Sequence, residues 1–262
     1  MYRIQRRVLS QNFFYSRKFV RWLIRKSFIH GTDTVLDIGA GKGIITESLL
    51  KIATKVIAIE IDSDLCIKFN GKFKDESRVE LLNIDFLQYS LPEYPYKVFA
   101  NIPFCIEGEI IRKLLNAKNP PDDAYLVLRE DLAIRLGGVY RESKFSILYK
   151  PWFTFSINHS FRRTDFEPMA RMETVLLRFT KKMSPLVPLK EQTTFRSFIE
   201  MGFKDGKSIK QNLNCILTST QLGRLASING FSPQDKPSYL NLKQWINIYS
   251  FIRKYIVKQP KA

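Results

Sequence analysis

The chain has little cysteine and less histidine: Cys66, Cys105 and Cys215, with His30 and His159, in 262 residues. They are scattered, without the spacing of a metal site or of a Cys–His couple, so metal chemistry and thiol catalysis are set aside. So few thiols fit a reduced compartment, where buried cysteines act as small hydrophobes. No apolar run approaches the roughly 18–20 residues that cross a bilayer, and no signal-type apolar stretch opens the chain. Internal repeats and low-complexity tracts are lacking too. Acid is scarce at both ends. Residues 1–30 carry eight basic side chains and no acid, and residues 181–262 carry fourteen against four. The segment between holds twenty against twenty-one, and the whole chain is +17. A near-neutral body between basic ends fits a catalytic core flanked by surfaces for a polyanion. Taken alone, the acid-free start also has the composition of a mitochondrial transit peptide.

What is present is a rhythm. From Thr34, β-rich runs alternate with helical spacing: strands are predicted at Thr34–Ile38, Lys55–Ile61, Val79–Ile84, Tyr96–Ala100 and Ala124–Arg129. Helices are predicted at Ile44–Ile52, Asp62–Phe73 and Glu107–Leu115. This predicts an α/β fold with a mostly parallel, doubly wound sheet. Two further strand-like runs, Trp152–Ile157 and Thr174–Thr180, precede Lys181–Pro188, which reads as a linker. Helical spacing then returns at 192–203, 207–217, 220–228 and 242–257, a small basic all-helical domain. The expected division is 1–182, with 1–30 as a basic N-terminal segment, and 183–262.

Doubly wound sheets bind ligands beyond the carboxyl ends of their strands, and that is where the informative residues fall. Asp37-Ile38-Gly39-Ala40-Gly41-Lys42-Gly43 ends the first strand. Glycines there allow a tight turn and close approach of a ligand to the backbone, and the next helix offers free N–H groups. A dinucleotide fingerprint wants glycine at 44, where isoleucine stands. The Gly39, Gly41, Gly43 spacing instead matches S-adenosylmethionine-dependent methyltransferases. Glu60 ends the second strand, and its ionised carboxylate, an acceptor only, suits both hydroxyls of a ribose. Asp85 follows the third strand and suits an adenine amino group, with Phe86 beside it to pack on the ring.

Asn101-Ile102-Pro103-Phe104 follows the fourth strand. The lone pair of an exocyclic adenine amine is delocalised into the ring, so methylating it needs acceptors that orient the amine. The Asn101 side-chain carbonyl and the Ile102 backbone carbonyl suit that role, with Pro103 fixing the turn. Phe104 would stack on an extruded base for about 1–3 kcal/mol, offsetting part of the few kcal/mol that flipping costs. Cys105 invites comparison with the Pro-Cys nucleophile of cytosine-C5 methyltransferases, but amine methylation needs no thiolate, and a small lining residue is the plainer reading. Glu107 and Glu109 read as acids favoured at a helix start, and no side-chain base is assigned.

With these motifs in this order, the chain resembles the rRNA adenine-N6 dimethyltransferases: the Erm family, acting on 23S rRNA, and the KsgA family, acting on small-subunit rRNA. The resemblance runs from Ser10-Gln11-Asn12-Phe13-Phe14, similar to the families' S-Q-N-F-L, to Phe161–Val175, where Phe166-Glu167-Pro168 resembles their F-x-P element. It covers most of residues 8–180. It implies a Rossmann-like class I methyltransferase body with S-adenosylmethionine as cofactor. The implied cofactor contacts are Asn12, Phe14, Gly39, Gly41, Gly43, Glu60, Ile61, Asp85, Phe86 and Asn101; the implied catalytic motif is Asn101, Ile102, Pro103 and Phe104. Phe14 replaces the usual leucine, which a backbone contact tolerates. The match at Gln11–Phe14 counts against a cleaved transit peptide, since cleavage would remove cofactor contacts.

Asn-Ile-Pro-Phe resembles a branch of the Erm enzymes more than KsgA, which usually has Asn-Leu-Pro-Tyr. Met169-Ala170-Arg171 also lacks the proline and lysine that follow the F-x-P element in KsgA. An Erm-type identity implies one or two methyl groups placed on a flipped adenine of 23S rRNA, with resistance to macrolides, lincosamides and streptogramin B. It further implies a cytoplasmic monomer using no metal and no membrane. The alternatives are a KsgA-like enzyme of small-subunit biogenesis and a non-enzymatic RNA-binding assembly factor. Expected phosphate contacts are Arg6, Arg7, Arg112, Arg135, Arg162, Arg163, Lys204, Lys207 and Lys210, from a longer set that also holds Arg3, Arg17, Lys18, Arg129 and Arg141. Such contacts position RNA without reading its sequence.

Overall fold

The apolar runs predicted as strands lie side by side in one seven-stranded sheet. In the computed structural model, which describes residues 12–204 and 207–256, these are β2 (Thr34–Ile38), β3 (Lys55–Glu60), β4 (Val79–Asn83), β5 (Lys97–Asn101), β6 (Asp123–Arg129), β7 (Phe153–Ser160) and β9 (Thr174–Lys181). Their order is β4-β3-β2-β5-β6-β9-β7. Pairing is parallel from β4 through β6 and antiparallel between β6 and β9. Strand order reverses between β2 and β5, the switch point at which such sheets bind ligands. The central strands are apolar throughout because helices cover both faces of a parallel sheet: Val35, Leu36, Val56, Ala58, Val98, Phe99 and Leu126 are buried.

Helices α2 (Ile44–Leu49), α3 (Ser63–Phe73) and α4 (Glu107–Leu115) fall in the predicted places, each one to three residues shorter or equal. The Asp62 carboxylate caps α3 by accepting from the Asp64 and Leu65 N–H groups, which stops the helix one residue short of the predicted start. Helix α1 (Arg17–Arg25) was not expected, because four basic side chains mask a narrow stripe of buried Val20, Leu23 and Ile24. Two short strands, β1 (Phe13–Phe14) and β8 (Phe166–Glu167), pair antiparallel. They bring together motifs some 150 residues apart, and the Phe14 and Phe166 rings stack at 5.0 Å. No described helix is long and apolar enough to cross a membrane.

The chain divides into two compact units. The sheet unit runs to Ala133 and adds Phe155–Lys181; the other holds Ile134–Thr154 and the chain from Lys182. The expected division put residues 134–154 with the sheet, and that is corrected. Trp152 explains it: its buried ring packs edge-on against Phe195, and its indole N–H donates to the Val187 carbonyl at 2.8 Å.

The second unit contains α6 (Lys144–Tyr149), α7 (Gln192–Gly202), α8 (Ile209–Leu213), α9 (Ser219–Asn229) and α10 (Leu242–Tyr255), while α5 (Glu130–Gly137) spans the boundary. Its core is aromatic, with Phe195 edge-on to Tyr249 at 5.1 Å and Phe198 against Trp245 at 5.6 Å. Capping boxes at Ser208, Thr218 and Asn241 start α8, α9 and α10.

Candidate active site

Three glycines turn the chain out of β2 with φ of 72°, 55° and 72° at Gly39, Gly41 and Gly43, a left-handed region that other residues enter at a cost. Space forbids a side chain at two of them as well. A Cβ on Gly41 would lie 2.8 Å from the Phe13 ring, and one on Gly43 would lie 2.6 Å from Phe73. Of the three, Gly39 alone lines the cavity at the carboxyl edge of the sheet. Gly41 and Gly43 serve the turn.

The cavity encloses about 700 Å³, counting its open mouth. It is lined by Asn12, Gly39, Glu60, Ile61, Asp85, Phe86 and the whole of Asn101–Phe104, together with Phe13. Phe14, expected as a backbone contact to the cofactor, does not line this cavity. Its ring instead enters the core among Phe19, Phe161 and Phe166, and Phe13 takes the lining position. The β1–β8 pairing decides which of the two faces inward, and no local pattern in the sequence reports it.

Glu60 is almost fully buried. Its Oε2 accepts from Gly41 N–H at 2.9 Å, and its Oε1 accepts from the N–H groups of Ile61 and Asp62 at 2.8 and 2.9 Å. An ionised carboxylate has about four acceptor positions, so one is left for a ligand hydroxyl. The Asp85 carboxylate accepts from Leu87 N–H at 2.9 Å and so caps a 3₁₀ turn at Phe86–Gln88.

Lys113, on α4, supports the wall of the cavity and was not singled out from the sequence. Its ammonium donates to the carbonyls of Phe86, Leu87 and Tyr89 and lies 5.1 Å from the Phe86 ring centre. Burial pushes its pKa down, and Asp85 pulls it back up. It braces the turn that carries Asp85 and Phe86.

Asp37 lies beneath the glycine turn, fully buried. One oxygen accepts from the Thr46 hydroxyl at 2.6 Å, and Oδ1 has no partner. Burial first, and Glu60 second, push its carboxyl up to about 7.

Asn101 ends β5, and its amide nitrogen donates to the Asn12 backbone carbonyl. With the NH₂ end so held, the amide presents Oδ1 as an acceptor. Pro103 lies against Gly39, 3.7 Å from where a Cβ would stand, so the tetrapeptide and the glycine turn touch directly. Cys105 is exposed and lines no wall of this cavity.

The expected phosphate contacts are spread more widely. Arg112, Arg162 and Arg163 are exposed on the sheet unit, and Arg135, Lys204, Lys207 and Lys210 are exposed on the helical unit. Arg163 is paired with Glu173 at 2.6 Å. Arg3, Arg6 and Arg7 lie outside the described residues. Arg129 is removed from the wider set: its guanidinium holds the buried Glu107 at 2.6 Å, and its N–H donates to the same carboxylate. Glu107 is therefore a buried partner of β6 and more than a helix-start acid. Burial raises its pKa and Arg129 opposes this.

A glycine cradle and an acceptor-presenting asparagine thus meet on one sheet edge. The model of the ribosomal RNA adenine dimethylase family matches residues 3–254. The chain belongs to that family. An rRNA methyltransferase of Streptomyces thermotolerans is 30% identical over 199 residues, 76% of this chain and 67% of its own. An rRNA adenine N-6-methyltransferase of Bacteroides fragilis is 28% identical over 93% of this chain and 92% of its own. The ribosomal RNA small subunit methyltransferase A of Acaryochloris marina is 27% identical over 92% and 94%. The dimethylase family thus reaches this chain through relatives of both kinds. The fold agrees: the crystal structure of the 23S rRNA methyltransferase ErmE superposes with a TM-score of 0.82 over 93% of this chain and all of that one, at 23% identity.

Proposed function

We propose that the chain methylates N6 of a flipped adenine in rRNA, once or twice, using S-adenosylmethionine. The observation that carries this reading is the Asn101 amide, whose NH₂ end is held by Asn12 and whose acceptor end is left at the cavity. The residues fit the cofactor: a turn too tight for Cβ atoms, one open acceptor position on Glu60, and Asp85 with Phe86 at the other end of the same cavity. Asn12, Gly39, Glu60, Ile61, Asp85 and Phe86 would hold it. S-adenosylmethionine supplies an electrophilic methyl group when bound.

The protein's own part is positioning. Asn101 Oδ1 and the Ile102 carbonyl accept from the adenine amine, turning its lone pair out of conjugation and toward the methyl group. Pro103 holds the two acceptors on one turn, and Phe104 stacks on the extruded base. After transfer the amine proton leaves to water, so no side-chain base is required. Glu107, tied to Arg129, is not available as one.

Large-subunit 23S rRNA is the favoured substrate, on the strength of Asn101-Ile102-Pro103-Phe104 and of Met169-Ala170-Arg171 after the F-x-P element. This reading carries the antibiotic-resistance role with it. A small-subunit substrate is the second reading, favoured by the relative from Acaryochloris marina. Offering naked 23S rRNA and immature small subunits separately, then mapping the methylated base, decides between them. Methylation of the small-subunit substrate alone would reverse the choice.

A further inference from the structure

We infer that a second cavity, beside the first, seats a backbone phosphate of the RNA next to the adenosine that is methylated. The inference rests on the adenine-N6 reading above. The two cavities share Phe13, Gly39 and Asn101 as walls. A base that brings its amine to Asn101 therefore has its sugar and flanking phosphates within reach of the second cavity.

The second cavity has the right charge. Arg17 from α1, Lys42 from the glycine turn and Lys72 from α3 line it, with Glu167 from β8 as the opposing acid. Glu47, on α2, takes up part of the positive charge: its Oε2 is 2.7 Å from Lys72 Nζ and 3.7 Å from Arg17 Nε. These cations hold the Glu47 carboxyl below the usual carboxylate range, Lys72 foremost. Three cations against two carboxylates leave one positive charge, which is what a phosphodiester neutralises.

Lys42 is the cation best placed to meet it. Its ammonium lies 5.2 Å from the centre of the Phe13 ring, and among the described residues it has no carboxylate partner. Phe13, the same ring that walls the first cavity, thus carries the lysine on its face. Arg17 adds a planar donor set suited to phosphate oxygens. In this arrangement the charges select for a nucleotide, while Asn101 and Phe104 select for its base.

The test compares adenosine, adenosine 5′-monophosphate and adenosine 3′-monophosphate as ligands of the full chain by isothermal titration at low salt. Saturating S-adenosylhomocysteine keeps the nucleotides out of the cofactor pocket. One of the monophosphates is expected to bind about tenfold more tightly than adenosine, which also identifies the phosphate that is held. Lys42→Ala with Arg17→Ala should remove that advantage and Lys42→Arg should keep it. Affinities for adenosine and S-adenosylhomocysteine should stay within about twofold in each variant, which doubles as the check that the variants fold.

Equal affinity of all three ligands for the wild type overturns the inference, as does an advantage that survives in the double variant. A parallel loss of S-adenosylhomocysteine affinity overturns it too, since the cations would then serve the cofactor's carboxylate. Failure of the adenine-N6 reading looks different: no methyl group reaches rRNA, while the preference for a monophosphate is measured independently.

Discussion

The sheet unit holds the polar side chains at its cavity by backbone groups, whereas the helical unit offers exposed charge. Glu60 is fixed by three backbone N–H groups, Asn101 by one backbone carbonyl and Lys113 by three. Lys204, Lys207 and Lys210 are exposed side chains on or beside short helices. Backbone-held groups act at one place, so losing one should abolish a step. Exposed charges act through a summed field, so losing one should cost a little everywhere and depend on salt.

The largest expected effect tests this contrast directly. Asn101→Ala should lower kcat for methyl transfer about 10²–10³-fold, the scale of removing one preorganised hydrogen-bonding group, while the lost hydrogen bond to Asn12 costs only about 0.5–1.5 kcal/mol of stability. Replacing Lys204, Lys207 and Lys210 together by alanine should leave kcat intact and raise KM for RNA. The slope of log affinity against log salt should fall by about two to three. A triple variant that loses kcat as severely as Asn101→Ala breaks the comparison.

The next effect is on stability against pH. The Asp37 carboxyl sits at about 7 in the fold against an ordinary 3.8. The folded chain therefore keeps a proton that the unfolded chain has released, and stability falls as pH rises through that window, then levels off. Asp37→Asn stays neutral and keeps an acceptor for Thr46. Urea unfolding should show it losing this slope and gaining at most about 4 kcal/mol near pH 8. In the helical unit, Tyr249 is pushed up to about 12, by burial first, and contributes no slope in that range.

Glycine replacement should then separate site from scaffold. Gly43→Ala and Gly202→Ala each drive a Cβ into an aromatic ring, at 2.6 Å from Phe73 and 2.5 Å from Trp245. Each should cost about 1–3 kcal/mol by calorimetry. Only Gly43→Ala should also weaken S-adenosylhomocysteine binding. The smallest effect belongs to Lys113→Met: KM for the cofactor should rise about tenfold with kcat nearly unchanged, since a charged hydrogen-bond donor is worth about 1.5–3 kcal/mol. Lys113→Arg should recover part of the loss.

What was readable in the sequence follows the same line. Strands β2 to β6 were found within one or two residues: burial on both faces writes β2, β3, β5 and β6 as largely apolar runs, while β4, an edge strand with no buried residue, was found from its place in the strand–helix alternation. The cavity-lining motifs were found because each follows a strand. Which of the Phe13 and Phe14 rings turns inward was not legible, since a distant partner strand sets it. Lys113 was missed because its role comes from a turn 24 residues earlier along the chain. Residues 134–154 were misassigned because Trp152 makes its packing partners after the linker. α1 was missed because its three arginines and one lysine outnumber the three residues of its buried stripe.

The most direct test of the central claim is transfer of a labelled methyl group from S-adenosylmethionine to naked 23S rRNA, followed by digestion to nucleosides. The account predicts label in N6-methylated adenosine with the wild type and almost none with Asn101→Ala. Label on another base or on ribose would contradict it, and so would RNA binding by the wild type without any transfer to large- or small-subunit rRNA.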